Sequence, residues 1–254
     1  MSGGSLQSWA LPPARLTLAV DDVHVWQASL CVPESTLARL YSTLSPDEQE
    51  RAARYHFLRD RQRFIAARGW LRSILSMYLS AAAGALHFRY GLHGKPELDV
   101  AGESAPGGLQ FNMAHCDDVA LCAVSRGRKV GVDVEHIRPG FADAALAESF
   151  FAPREVAALR SLPALDRERA FFACWTRKEA YLKARGEGLM MPLDEFEVSF
   201  APGDTPAVQR TTAGPPDSAP WSLRELDLGP GYVAALAVEG QGWRPWLWQD
   251  PRHG

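Results

Sequence analysis

The chain has 254 residues, of which 46% are hydrophobic and 22% charged. Those proportions exclude disorder, collagen and coiled coil as descriptions of the whole chain and indicate a soluble globular protein. Lys and Arg number 27 against 30 Asp and Glu, a formal net charge of −3. That leaves no global footprint for nucleic acid or an anionic membrane, so any phosphate site must be built locally.

The length allows one large domain or two small ones. Cys31, Cys116, Cys122 and Cys174 form no CxxC pair, which argues against structural zinc and for reduced core thiols. No run of 18 apolar residues exists, so no membrane span is expected. Met1 to Leu16 lacks a basic stretch followed by an apolar one, so a cytoplasmic location is expected.

In chain order, residues 1–20 read as an N-terminal extension. Val23 to Leu30 reads as the first strand. Ser45-Pro46-Asp47-Glu48 marks a helix start, with Ser45 as cap, Pro46 at the first position and Glu48 reaching back. That helix is expected to run to about Arg59, and a second to restart at Asp60. In the second, Phe64, Ala67, Leu71, Ile74, Leu75 and Tyr78 share one face, while Arg61, Arg68 and Arg72 lie on another. Leu86 to Tyr90 reads as a strand running into the Gly91–Pro96 turn. Residues 101–108 read as a loop. Short strands are expected at Phe111–Asn112, Val119–Val124 and Val130–Glu135. Helices follow over Pro153–Ser161 and Asp166–Arg185, the latter stopping at Gly186. Phe196–Phe200 reads as a strand, 201–220 as a Pro-rich loop, and Tyr232–Val238 as an apolar strand. The tail carries Trp243, Trp246 and Trp248, read as packing anchors. The element order repeats coarsely. It implies two similar halves, 21–120 and 121–240, followed by a Trp-rich tail over 241–254.

Val130-Gly131-Val132-Asp133-Val134-Glu135 carries the first chemical signal. The three valines point to one side of the strand, and Asp133 and Glu135 to the other, roughly 7 Å apart. Like charges on one face repel unless a cation sits between them. A simpler account is the solvated face of an edge strand. The second signal lies on the helix around Trp175. Phe172, Trp175, Glu179 and Leu182 fall on one stripe, which aims a glutamate at the core. Lys183 follows one turn later, and a plain surface pair with Glu179 is the simpler account of it. Together Asp133, Glu135 and Glu179 form a hard-oxygen set suited to Mg²⁺, an ion that keeps waters and typically shares a phosphate-bearing ligand. Arg51, Arg59, Arg63, Lys95 and His115 precede these carboxylates and are candidate phosphate ligands.

Val130–Glu135 and Trp175–Lys183 together resemble the two-part signature of the 4′-phosphopantetheinyl transferases, with the closer likeness to the larger, Sfp-like class. Ser45-Pro46 followed by Arg51, Gly94-Lys95-Pro96, Phe111-Asn112-Met113-Ala114-His115 and Gly186-Glu187-Gly188-Leu189 add to the likeness. It spans roughly residues 45–200. The resemblance implies an α+β fold of two pseudo-twofold halves, each a small antiparallel sheet on a long helix, with the active site in the cleft between them. It implies a monomeric enzyme that uses Mg²⁺ and takes coenzyme A as donor. The acceptor is a serine of an acyl or peptidyl carrier protein, and the leaving product is adenosine 3′,5′-bisphosphate. By position, Asp133, Glu135 and Glu179 match the metal ligands, and Glu179 also the proton acceptor. Lys183 matches the group at the reacting phosphate. Arg51, Arg59, Arg63, Lys95, Asn112 and His115 match the donor-binding residues. Two positions depart from the pattern. Ala114 replaces a serine whose hydroxyl serves a phosphate, and Glu48 stands where some relatives carry lysine. The segment Gly188–Leu193 follows the signature helix and presents Leu189, Met190 and Met191, either to the carrier or to the core. Two other readings use the same residues: a Mg²⁺-dependent phosphodiesterase acting with water, and a non-catalytic module that binds coenzyme A or a carrier.

Overall fold

The computed structural model describes residues 8–91, 96–99, 108–141, 144–186, 191–211 and 220–251. The strands are β1 (Asp22–Ser29), β2 (Phe88–Tyr90), β3 (Pro96–Leu98), β4 (Leu109–Cys116), β5 (Val119–Arg126) and β6 (Val130–His136). They continue with β7 (Phe196–Val198), β8 (Val208–Thr211), β9 (Trp221–Leu226), β10 (Tyr232–Glu239) and β11 (Arg244–Gln249). The helices are α1 (Glu34–Tyr41), α2 (Pro46–Ala53), α3 (Leu58–Leu79), α4 (Ala144–Phe150), α5 (Pro153–Ser161) and α6 (Ala164–Arg185).

One sheet has the order β11-β1-β5-β4 and the other β6-β10-β9. Side-chain alternation divides their residues among three cores. Val23 and Val25 of β1 and Leu121 and Ala123 of β5 meet Val130, Val132 and Val134 of β6 and Leu236 of β10 between the sheets. The opposite face of the first sheet, with Trp26, Ala28, Cys122 and Val124, packs on Trp70, Leu71 and Ile74 of α3. The opposite face of the second, with Val233, Ala235 and Ala237, packs on Phe171, Phe172 and Tyr181 of α6. The order is helix, sheet, sheet, helix, as the two-half reading expects.

The halves repeat in detail. Each contains a short helix, α2 or α5, carrying Pro at its first position and Glu at its third. Glu48 accepts from the N–H of Ser45 at 3.0 Å, and Glu155 from that of Ala152 at 2.9 Å. Both carboxylates are buried and each meets a cation on the following long helix. Glu48 Oε2 lies 2.7 Å from Arg72 Nε, and Glu155 Oε2 2.7 Å from Lys178 Nζ. Each cation then reaches the carbonyls that lead into a small hairpin. Arg72 donates to Ala83 and Leu86 ahead of β2–β3, and Lys178 to Leu193 ahead of β7–β8 and to Phe196 at the start of β7.

Several elements differ from the sequence reading. The break between the first two predicted helices falls at Tyr55–Phe57, not at Arg59, because Arg54 closes α2 and Phe57 begins the next in extended backbone. The short helices α1 and α4 and the strand β9 were not expected. β8 lies within the predicted 201–220 loop. β5 crosses position 120 without leaving the first sheet, so the chain changes sheet at 127–129. β11, within the Trp-rich tail, pairs parallel with β1, with Trp248 opposite Trp26. Trp248 is buried there, so the anchoring role holds for it, whereas Trp246, which stacks on it, is 43% exposed. Among the described residues, no helix is long and apolar enough to cross a membrane.

β6 lies so close to α6 that only glycine fits at residue 131. A Cβ there would stand 2.1 Å from the carbonyl oxygen of Ala180 and 2.4 Å from the nitrogen of Ala184. Both contacts are backbone, which cannot swing aside. Gly131→Ala is therefore expected to lower stability by about 1–3 kcal/mol or more. It should also reduce activity, because Asp133 sits two residues along the displaced strand. Thermal melting together with an activity assay checks this.

Candidate active site

The close β6–α6 approach places the candidate residues. Asp133 shares its face of β6 with Gly131 and is only 5% exposed. Its Oδ1 lies 2.6 Å from Lys183 Nζ on α6, while its Oδ2 is buried with no hydrogen-bond partner. A solvated strand face is thus ruled out for Asp133. Burial pushes its carboxyl up to about 7; Lys183 opposes the shift, and the Glu135 and Glu179 carboxylates add to it. Glu179 is half-buried, less deep than its apolar stripe suggested. Burial raises its pKa as well, against the pull of Lys183 and with the push of Glu135. Lys183 therefore serves two carboxylates, rather than the single pair with Glu179 that the sequence offered.

Glu135 turns toward the edge of β4. Its Oε2 accepts from the Cys116 thiol at 3.6 Å and lies 3.7 Å from Arg138 Nη2. Burial and the Glu135 carboxylate push the Cys116 thiol up to about 11, so it stays a neutral donor. Among the described residues, no three His, Cys, Asp or Glu side chains converge closely enough to hold a metal ion as they stand. Three carboxylates without a cation repel one another, and here Lys183 supplies the positive charge. The donor set still fits a hard cation. It offers three carboxylates within electrostatic reach and one buried, unpartnered oxygen, and Mg²⁺ needs only one or two such ligands beside its waters.

The donor-binding candidates gather on and beside β4. His115, Arg51 and Asn112 line a cavity of about 240 Å³ bounded by α2, α3, β2–β3 and β4. Desolvation by the surrounding protein, with Lys183 and Arg63 nearby, keeps the His115 pKa below its ordinary value. Asn112 also ties β4 to β6 where the two sheets meet, because its Oδ1 accepts the Val132 N–H at 2.9 Å. Ala114 packs in the core between the sheets, so its side chain points away from the cavity. Arg63 is held by Asp118 at 2.8 Å, with Asp117 at 3.6 Å. Arg59 is not brought to the site; its side chain is 76% exposed beside Asp60. Lys95 lies outside the described residues, though Pro96 after it lines the cavity. Of the segment Gly188–Leu193, residues 188–190 lie outside the described residues. Met191 and Leu193 are buried in the α6 core, so the packing reading holds for them.

The raised Asp133 pKa has a consequence for stability. The carboxyl titrates near 3.8 when unfolded and about 7 when folded, so the native state binds the extra proton between those values. Stability therefore falls as pH rises through that window. Metal-free protein should melt lower at pH 7.5 than at pH 5, and Asp133→Asn should flatten this slope. A slope of equal size in wild type and variant would show that Asp133 does not cause it.

Comparison with known proteins gives the family. The 4′-phosphopantetheinyl transferase superfamily model matches residues 129–237, and the model for the N-terminal region of 4′-phosphopantetheinyl transferase matches 26–126. The two meet where the chain changes sheet. The chain is 44% identical over 241 residues to the 4′-phosphopantetheinyl transferase HetI of Nostoc sp. (strain PCC 7120), covering 95% of this chain and 98% of that protein. It is 30% identical to the 4′-phosphopantetheinyl transferase gsp of Aneurinibacillus migulanus, covering 76% and 75%. It is 25% identical to the 4′-phosphopantetheinyl transferase Sfp of Bacillus subtilis (strain 168), covering 79% and 84%. The chain belongs to the 4′-phosphopantetheinyl transferase family and is an enzyme of that class.

Proposed function

We propose that the enzyme moves the 4′-phosphopantetheine group of coenzyme A onto a serine of an apo acyl or peptidyl carrier protein, with Mg²⁺ as cofactor. The observation that carries this reading is the buried Asp133, with one oxygen on Lys183 and the other unpartnered, beside Glu179 and Glu135. Asp133, Glu135 and Glu179 would hold the metal. When bound, Mg²⁺ neutralises charge on the pyrophosphate and on the bisphosphate that leaves.

The serine oxygen forms a bond to the pantetheine-side phosphorus, and the bond from that phosphorus to the bridging oxygen breaks. Adenosine 3′,5′-bisphosphate departs with the electron pair. Glu179, its pKa raised by burial, accepts the serine proton. Lys183, steadied by Asp133, offsets charge on the transferring phosphate. Arg51, Lys95 and His115 hold phosphates of the donor, with Arg63 at the margin. The chain supplies position and charge and forms no covalent intermediate. The four cysteines are free thiols, which fits the cytoplasm. Both halves of the site come from one chain, which fits a monomer.

The test is the release of adenosine 3′,5′-bisphosphate with and without an apo carrier. Release that needs the carrier and matches its modification one for one supports transfer. Equal release without a carrier points to hydrolysis, and none in either case points to a binding module.

A further inference from the structure

Asp133 and Glu135 share a pattern: each carboxylate has one oxygen tied and the other open. Asp133 Oδ1 lies on Lys183 at 2.6 Å, and its Oδ2 has no hydrogen-bond partner. Glu135 Oε2 meets the Cys116 thiol at 3.6 Å and Arg138 Nη2 at 3.7 Å. Among the described residues, Glu135 Oε1 makes no hydrogen bond. Lys183 has a part in the proposed reaction. Cys116 has none, and the sequence marks it only as a reduced core thiol.

Cys116 is the last residue of β4 and packs against the core between the sheets. Its sulfur bonds to two consecutive residues of β6. It accepts the His136 N–H at 3.3 Å and donates to Glu135 Oε2 at 3.6 Å. The accepted bond fixes the sulfur against the β6 backbone, and the donated bond turns the Glu135 side chain toward β4. Arg138 draws on the same oxygen. Its side chain is 53% exposed, so by itself it would hold the carboxylate toward solvent.

The two contacts differ in charge. A guanidinium offsets the charge of a carboxylate, and an arriving cation must compete with it. A thiol is a weak, neutral donor that directs one oxygen and leaves the charge in place. Ligating carboxylates are held by hydrogen bonds from residues that do not touch the metal, and these supports set the affinity.

We infer that Cys116 is a positioning residue for the divalent cation, its thiol holding Glu135 Oε2 and leaving Oε1 to the ion. This rests on the reading of Asp133, Glu135 and Glu179 as metal ligands. The rival is that Cys116 only fills space where β4 meets β6.

Two substitutions separate these. Cys116→Val fills the space, suits a strand and cannot donate. Cys116→Ser keeps a donor on a smaller side chain. Each is checked for fold by thermal melting without metal. Each is then titrated with Mn²⁺, with and without coenzyme A, and free Mn²⁺ is read by electron paramagnetic resonance. Mn²⁺ stands in for Mg²⁺ because it takes the same oxygen ligands. Cys116→Val should bind Mn²⁺ about tenfold more weakly than wild type. Cys116→Ser should bind it nearly as tightly as wild type, even if it melts lower. If Cys116→Val does not fold, Cys116→Ala serves in its place, with the same loss expected and the serine variant again as the rescue. Unchanged Mn²⁺ affinity in the variant without a donor overturns the inference, as does an equal loss in the serine variant. Asp133→Asn is the control for the metal reading. Mn²⁺ binding that is absent in wild type, or untouched by Asp133→Asn, overturns that reading and the inference with it. Binding lost with Asp133→Asn but intact in Cys116→Val overturns the inference alone.

Discussion

Asp133→Asn is expected to lower kcat by more than about a hundredfold while the metal-free protein melts no lower than wild type. The substitution keeps size and shape but removes the charge that serves both Lys183 and a cation. Loss of a metal ligand that stabilises developing charge amounts to several kcal/mol of barrier. The folded state gains little from this carboxylate, because burial pushes its pKa up to about 7. Lys183 is 32% exposed and regains solvent when its partner is neutral. Activity and stability should therefore separate. A variant that retains a tenth of wild-type kcat would remove Asp133 from the reaction. A variant that fails to fold would make Asp133 a structural residue.

Lys178→Met is expected to do the opposite, with a loss of stability of about 3–5 kcal/mol. For a chain of this size that is a fall in melting temperature of roughly 10 °C. Lys178 is fully buried, with Glu155, the Leu193 carbonyl and the Phe196 carbonyl around its ammonium. Its removal leaves a buried carboxylate that keeps the Ala152 and Val198 N–H groups and the Cys174 thiol as donors but loses its ammonium partner. If the variant folds at low temperature, its kcat should lie near that of wild type, because Asp133, Glu179 and Lys183 are untouched. Normal melting with lost activity would reverse the roles of Lys178 and Lys183.

That contrast shows what the sequence could and could not convey. The valine alternation of β6 and the length of α6 were plain, because period 2 and period 3.6 are fixed by backbone geometry. So were the paired carboxylates. Lys178 and Lys183 both lie in the same short signature, and spacing alone did not say which faced solvent. α6 is enclosed by β6, β10, α5 and β7, so a helical stripe calculated from one face misjudges the others. Gly131 was available as a signal, since a glycine inside a strand marks a close approach of backbone. Glu48 was read from its cap position and from its departure from related sequences. Its tie to Arg68 and Arg72 depends on α2 folding back on α3, which no local pattern encodes. β11 escaped notice because it is short, contains Pro245 and pairs with a strand more than 200 residues earlier in the chain. Arg59 lies in the first turn of α3 with its side chain exposed beside Asp60, an orientation that its place in the sequence did not reveal.

The most direct measurement is the intact mass of an apo carrier protein incubated with coenzyme A, Mg²⁺ and this enzyme. The account predicts a gain of one phosphopantetheinyl group, located on a serine by fragmentation, that disappears on addition of a chelator and with Asp133→Asn. An unmodified carrier across a panel of acyl and peptidyl carriers, in the presence of folded enzyme and Mg²⁺, would contradict it.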